Sequence, residues 1–307
     1  MMPLFRRMRH YNPSSPASSL SRLPSNPSWN KAMSDLLTHE TAVRLSCFFA
    51  VLLAMMAWEW RWPRRIPALP RGRRWPANLA VVAVDSMVLR GVFPVLAVGA
   101  AQWADLRAWG LLHWLDAPFW LAVAVSLLVL DAVIYAQHVA FHKSPLLWRL
   151  HQMHHSDLDF DATTALRFHP LEIAISMSIK LTVVVLLGAP PPAVLLFEVI
   201  LNAAAMFNHG NARLPLRLDR ALRQVVVTPD MHRVHHSIHR DETDSNFGFN
   251  LSWWDRLFGT YRDQPRDGHT GMTIGLAYFR DWRATRLHGL LLQPFLTPNR
   301  GSADRSA

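Results

Sequence analysis

The sequence predicts an all-α, multi-pass membrane protein with about four to five apolar helices and a His-lined helical cap on the cytosolic side. Three observations predict it. Half of the 307 residues are apolar and only 18% are charged, a balance foreign to an ordinary soluble domain of this length. Apolar stretches of near-spanning length recur along the chain. Eleven of the 16 histidines fall between positions 138 and 239, at spacings that put imidazoles on shared helix faces.

Taken in order, residues 1–35 are rich in Ser, Pro and Asn with no apolar period, which reads as a disordered tail. Apolar stretches follow at 42–60, 77–103, 118–137, 171–187 and 189–207. A spanning helix needs about 20 mostly apolar residues, and the first three stretches qualify. The last two are separated by Gly188-Ala189-Pro190-Pro191-Pro192, a breaker that predicts a tight helical hairpin. Its first arm is short and carries Lys180, so it is expected to dip into the bilayer without crossing fully. The chain then divides into the tail, N-terminal spans with an Arg-rich loop over 36–117, a His-bearing unit over 118–262, and a cytosolic tail over 263–307.

The net charge is +10, with 32 basic residues of which only three are Lys. A balance this basic raises nucleic acid first. Beside long apolar runs, the bases read instead as membrane flanks, and no nucleic-acid partner is expected. Arg61, Arg64, Arg65, Arg71, Arg73 and Arg74 crowd the loop between the first two spans, which puts that loop in the cytoplasm. Counting crossings from there brings the end of the third helix near His138, and the end of the hairpin near Phe207, to the same side. Arg6, Arg7 and Arg9 then fall outside, against the rule; the short loop between two strong spans carries more weight. The single cysteine, Cys47, excludes a disulfide framework, a Cys-based zinc site and an iron–sulfur cluster.

His138 and His142 stand at i, i+4. His151, His154 and His155 stand at i, i+3, i+4, and His232, His235 and His236 repeat that pattern. With His209 at the end of the hairpin, nine imidazoles gather at one membrane depth. That exceeds the four ligands of a structural zinc site and suits two metal ions. An isolated i, i+4 pair is commonly a surface feature; three clusters at one depth are not. His169 and His239 read equally as metal ligands or as supporting or surface residues. Asp131, seven residues before His138 and on the same helix face, is expected to orient a ligand imidazole. Glu198 and Asn202 share a face of the helix leading to His209, and Lys180 either snorkels or pairs with Glu198. His10, His39, His113, His269 and His288 read as incidental. His39-Glu40 does not open a metalloprotease HExxH motif, because position 43 is Val.

These boxes, with only eight residues between His142 and His151, resemble the fatty acid hydroxylase/sterol desaturase superfamily. Three further stretches carry the resemblance: His154-His155-Ser156 through Thr164-Ala165-Leu166-Arg167, Thr228-Pro229 through His236, and Asn246-Phe247-Gly248 through Trp254-Asp255-Arg256-Leu257-Phe258-Gly259-Thr260. It covers roughly Leu121 to Tyr261. The resemblance implies two irons held by His138, His142, His151, His154, His155, His232, His235 and His236, with His209 as an extra ligand and Asn246 beside them. It also implies O2-dependent hydroxylation or desaturation of a membrane lipid, a fatty acyl, sterol or related molecule. Two electrons per turnover must come from outside, because the chain has no flavin, nicotinamide, haem or iron–sulfur motif. A reductase, ferredoxin or cytochrome partner is expected, with Arg256 and the other C-terminal Arg either docking it or contacting lipid headgroups. The expected location is a bacterial inner membrane, or the endoplasmic reticulum in a eukaryote. Two other readings stay open: a zinc-dependent membrane hydrolase, disfavoured by the lack of an acidic base within the boxes, and a metal transporter or sensor, disfavoured because transport ligands sit mid-bilayer.

Overall fold

The structure, a computed structural model, describes residues 27–296. Among them every regular element is a helix, and β-pairing is confined to isolated bridges. Helix α1 (Pro27–Thr38) runs into α2 (Glu40–Arg61). The expected tail is therefore helical from Pro27 onward, proline being well suited to a first helical turn; residues 1–26 lie outside the described part. The stretch expected as one span at 77–103 is broken instead. Helix α3 (Trp75–Val92) stops ahead of Pro94, and α4 (Ala97–Leu106) and α5 (Leu111–Trp114) follow, because proline biases its predecessor out of the helical region and lacks an N–H. Next come α6 (Phe119–Lys143), α7 (Pro145–His155), α8 (Pro170–Leu187) and α9 (Pro191–Asn208). Short helices complete the chain: α10 (Leu216–Leu222), α11 (Pro229–His235), α12 (Arg240–Thr243), α13 (Trp253–Leu257), α14 (Gly268–Gly271) and α15 (Leu287–Leu292).

Five segments are long and apolar enough to cross a membrane: α2, residues 75–114, α6, α8 and α9. Their outward faces carry exposed Leu53, Trp60, Trp103, Trp114, Trp120 and Leu186, as expected of an integral membrane protein whose surroundings are apolar. Both arms of the hairpin are 18 residues long, so the first, expected to be short, matches the second in length. They turn at Gly188, whose φ of +68° and a Trp109 carbonyl only 2.6 Å from any added Cβ require glycine. Helix α9 is the central post, packed by α2, α4 and α6. Ala97, Ala101 and Ala104 of α4 are fully buried; small side chains let α4 approach α8 and α9 closely.

The ends of the bundle differ. Around the break near Gly188 the chain packs closely on Gly110 and His113, with His113 Nε2 3.6 Å from the buried Asp105. At the other end, α7, α11 and the joining loops form a polar cap. Residues 263–296, expected as a tail, belong to that cap. Leu290 packs on Ala77, Val81 and Met153, while the buried Gln293 amide donates to Ser156 Oγ and the Arg283 carbonyl. The Arg-rich loop is also built in. Arg74 is fully buried and donates to Asp157 at 2.6 and 2.8 Å and to Asp161 at 2.7 Å, which anchors the loop to the turn just after His155.

Candidate metal centre

Two of the box helices start with the same device. Ser144-Pro145 opens α7 and Thr228-Pro229 opens α11, each hydroxyl accepting from the backbone three residues on and each proline supplying the helical φ. Helix α7 then presents His151, His154 and His155, and α11 presents His232 and His235, with His236 at its end. His138 and His142 lie on the last turns of α6; His209 caps α9.

All nine are buried, and the structure brings them together as two sets. His138, His142, His151, His155 and His235 form one; His154, His209, His232 and His236 form the other, with the potential donor atoms of each set within 4.8 Å of one another. Outward hydrogen bonds fix several tautomers, because a carbonyl oxygen can only accept. The Nδ1–H groups of His138, His235 and His209 donate to Phe247 O at 2.7 Å, Ser245 O at 2.7 Å and Ala205 O at 2.8 Å. His151 Nδ1 donates to Glu172 at 2.7 Å, and His142 Nδ1 to Asp244 at 3.2 Å. The inward Nε2 atoms of His138, His151, His209 and His235 thus carry lone pairs.

Those lone pairs face each other. His138 Nε2 lies 3.2 Å from His151 Nε2 and 3.0 Å from His235 Nε2, and His209 Nε2 lies 3.1 Å from both His154 Nε2 and His232 Nε2. No proton is available between the anchored pairs, so such approaches are repulsive without a cation. With metal–nitrogen bonds of about 2.0–2.1 Å, neighbouring ligands at right angles sit about 3 Å apart, which these spacings match. Further buried ring nitrogens have no hydrogen-bond partner: His142 Nε2, His155 Nε2, and both nitrogens of His236. The donor set fits two metal ions, with ligands suited to iron, zinc or copper.

Burial, and then neighbouring imidazoles, hold His154, His155, His232 and His236 well below the ordinary histidine range; burial takes His151 and His209 to about 3. The rings are therefore neutral, as metal ligation requires. Aromatic walls close the site: Phe168 stacks on His154 with centroids 4.4 Å apart, Phe160 on His209 at 5.6 Å, and Trp148 lies 4.9 Å from His142.

The four supporting residues expected from sequence touch no ligand imidazole. Asp131 instead accepts from Asn250 Nδ2, Leu251 N and Trp254 Nε1; it holds the loop whose Phe247 carbonyl takes the His138 proton. Asp255 grips the same loop through Phe247 N and Gly248 N, and a Cβ at Gly248 would lie 2.8 Å from that carboxylate. His169 caps α8, accepting from Leu171 N while its other nitrogen donates to Leu291 O. His239 pairs with Asp267 near the surface. Asn246 ties the Met231 and Arg262 backbones together. His269, read as incidental, is buried 3.7 Å from Asp230. The residues sequence reasoning missed are Glu172 and Asp244. A signal existed for the first, a lone carboxylate in the apolar arm just after His169-Pro170.

A cavity of about 270 Å³ leads away from His138 and His151 into the bundle, between α2, α3, α6, α8 and α9. Ile134, Phe141, Phe168, Met177 and Phe249 line its middle.

Among the described residues, helices of spanning length adjoin two buried His sets that could each hold a metal ion. Residues 123–260 match the fatty acid hydroxylase family model, and this match supports the fatty acid hydroxylase/sterol desaturase superfamily expected from the His boxes. It is 31% identical to the ornithine lipid hydroxylase OlsE of Rhizobium tropici over 206 residues, covering 66% of this chain and 55% of the relative. It is 25% identical to the alkylglycerol monooxygenase of Xenopus tropicalis over 251 residues, 80% of this chain and 52% of that one. It is also 25% identical to the cholesterol 25-hydroxylase of Rattus norvegicus over 170 residues, 50% and 55% of the respective chains. The chain thus spans about half the length of these curated relatives. No solved structure matches it.

Proposed function

We propose that this protein is a membrane-bound di-iron oxidoreductase that uses O2 and two external electrons to oxidise a C–H bond of a lipid. The observation that carries the reading is the juxtaposition of two neutral, lone-pair-convergent His sets with the inner end of an apolar cavity between spanning helices. Two irons would be held by His138, His142, His151, His155 and His235 on one side and His154, His209, His232 and His236 on the other. When bound, they supply activation of O2 for attack on an unactivated C–H bond. Phe247 O, Ser245 O, Ala205 O, Glu172 and Asp244 hold the ring protons outward, so that each anchored imidazole offers its Nε2 inward. The apolar middle of the cavity keeps water from the site and aligns a hydrocarbon run beside it.

Hydroxylation is favoured over desaturation by the relatives, which are named as hydroxylases and monooxygenases. The Arg-rich loop packs into the same cap as the His sets, which supports a cytoplasmic site where a soluble or membrane-anchored electron donor has access. A bacterial inner membrane, or the endoplasmic reticulum of a eukaryote, is the proposed location. The test uses the full chain in lipid nanodiscs, loaded with iron and given a chemical reductant and a total lipid extract. We expect O2 uptake and a lipid gaining the mass of one oxygen, both absent in His154→Ala. Stably bound zinc with no O2 uptake would overturn the reading.

A further inference from the structure

The cavity has a second polar end that the His sets do not use. Arg44 of α2, Lys180 of α8 and Glu198 of α9 all line it. Charged groups within spanning helices are costly and mark functional positions. Lys180 Nζ lies 2.9 Å from Glu198 Oε1, and Arg44 Nη1 lies 3.2 Å from Glu198 Oε2. Two cations therefore share one carboxylate, where a structural pair needs only one. Glu198 is 3% exposed, while the Arg44 and Lys180 side chains are 30% and 14% exposed, so the two cations are the more accessible members of the cluster. The cavity's other carboxyls do not balance them. Glu172 is held by His151, and Asp85 forms no ion pair among the described residues.

Along α9, Glu198 stands eleven residues before His209, about 16 Å at 1.5 Å per residue; along α8, Lys180 stands eight residues beyond Glu172, about 12 Å. Between the two ends the lining is mostly hydrocarbon and aromatic. Of the polar lining groups, Gln137 donates to Ser176 and Asn202 to the Glu198 carbonyl, so an apolar run with one anion at its end complements this arrangement, the anion taking up the surplus cation. A neutral-ended lipid leaves that cation unpaired, the situation in which polar sites discriminate most strongly.

We propose that the cavity binds an amphiphile through a single anionic group, carboxylate or phosphate, docked on Arg44 and Lys180 opposite Glu198, with its hydrocarbon run leading to the His138–His151 face. The proposal rests on the lipid-oxidising reading for the use of the cavity, and its test is independent of iron and O2. Radiolabelled dodecanoate is bound to the full chain in nanodiscs of a neutral phospholipid and displaced by unlabelled dodecanoate, dodecyl phosphate, dodecanol or methyl dodecanoate. At least one of the two anions should displace at a concentration tenfold or more below that of the alcohol and the ester. In Arg44→Gln or in Lys180→Met the preference should drop below threefold. Equal displacement by acid and ester in the natural protein overturns the proposal, as does a preference retained in both variants. The first comparison needs no variant, so a misfolded mutant does not protect the idea. O2 uptake without an anion preference removes this site and leaves the oxygenase reading standing; an anion preference without iron or O2 uptake does the reverse.

Discussion

The two His sets are built differently. In the five-His set, four rings are anchored from outside, by the Phe247 and Ser245 carbonyls and by the Glu172 and Asp244 carboxylates. In the four-His set, His209 has such an anchor, and the Nδ1 atoms of His154, His232 and His236 have no hydrogen-bond partner. Rings there are held by contact instead: Phe168 on His154, Phe160 on His209, and Phe249 5.9 Å from His232. A carboxylate behind an imidazole fixes its tautomer and raises its basicity, whereas stacking fixes only the plane. Phe247, Phe249 and Trp148 pack on the first set as well, so the first set is preorganised by hydrogen bonds and packing and the second chiefly by packing, and the second should yield its metal first.

The largest effect on this comparison is expected from removing a ligand in each set. His235→Ala and His232→Ala should both reduce turnover to background, each with loss of about one metal per chain by elemental analysis; full metal content in either would place that ring outside the site. Next comes Glu172→Gln, which keeps the shape and replaces the carboxyl behind His151 with an amide. A loss on the order of 10–100-fold in metal affinity is expected, confined to the five-His set, and competitive chelation reads it out. Phe168→Ala should act on the other set, releasing one metal at lower chelator concentration while the second titrates as before. Equal weakening of both metals would erase the distinction drawn between the sets.

Acid should loosen both sets together. Burial lowers His151 and His209 from an ordinary 6.5 to about 3. Between those values the unfolded chain binds protons that the folded chain does not, so stability is lost as pH falls through that window. The metal-free chain should show a falling melting temperature from pH 7 to pH 4, and a flat profile would contradict neutral buried rings. The smallest change is expected from Asp131→Asn. It keeps an acceptor for the 250–254 loop but loses charge-assisted bonds, costing about 1–3 kcal/mol of stability, with both metals retained.

How much of this was legible in the sequence depends on what kind of group does the work. The nine histidines could be read because their spacing is fixed by helical geometry and their residue type is rare in such clusters. The spans were legible for the same reason, apart from the break at Pro94 and the helical start at Pro27. What anchors the rings was harder to read. Backbone carbonyls at Ser245 and Phe247 have no sequence identity, and Glu172 and Asp244 reach their histidines from 21 and 102 residues away. Asp131 shows the limit of face arithmetic: a seven-residue offset placed it above His138, but not which loop would occupy the space between. His169, which read equally as a ligand or as a supporting or surface residue, caps a helix, since any side-chain acceptor before a proline-led helix can take that place. Residues 263–296 were read as a tail because Gln293 and Pro294 act through scattered bonds to Ser156, Gln152, Arg283 and Arg149, which leave no period.

The measurement that bears most directly on the paired His sets is X-ray absorption on the full chain after iron loading, joined to elemental analysis. Two irons per chain with a nitrogen-rich first shell at about 2.0–2.2 Å are predicted, and stepwise chelation should remove one before the other. A single metal per chain, or a shell dominated by oxygen, would contradict the two-set centre.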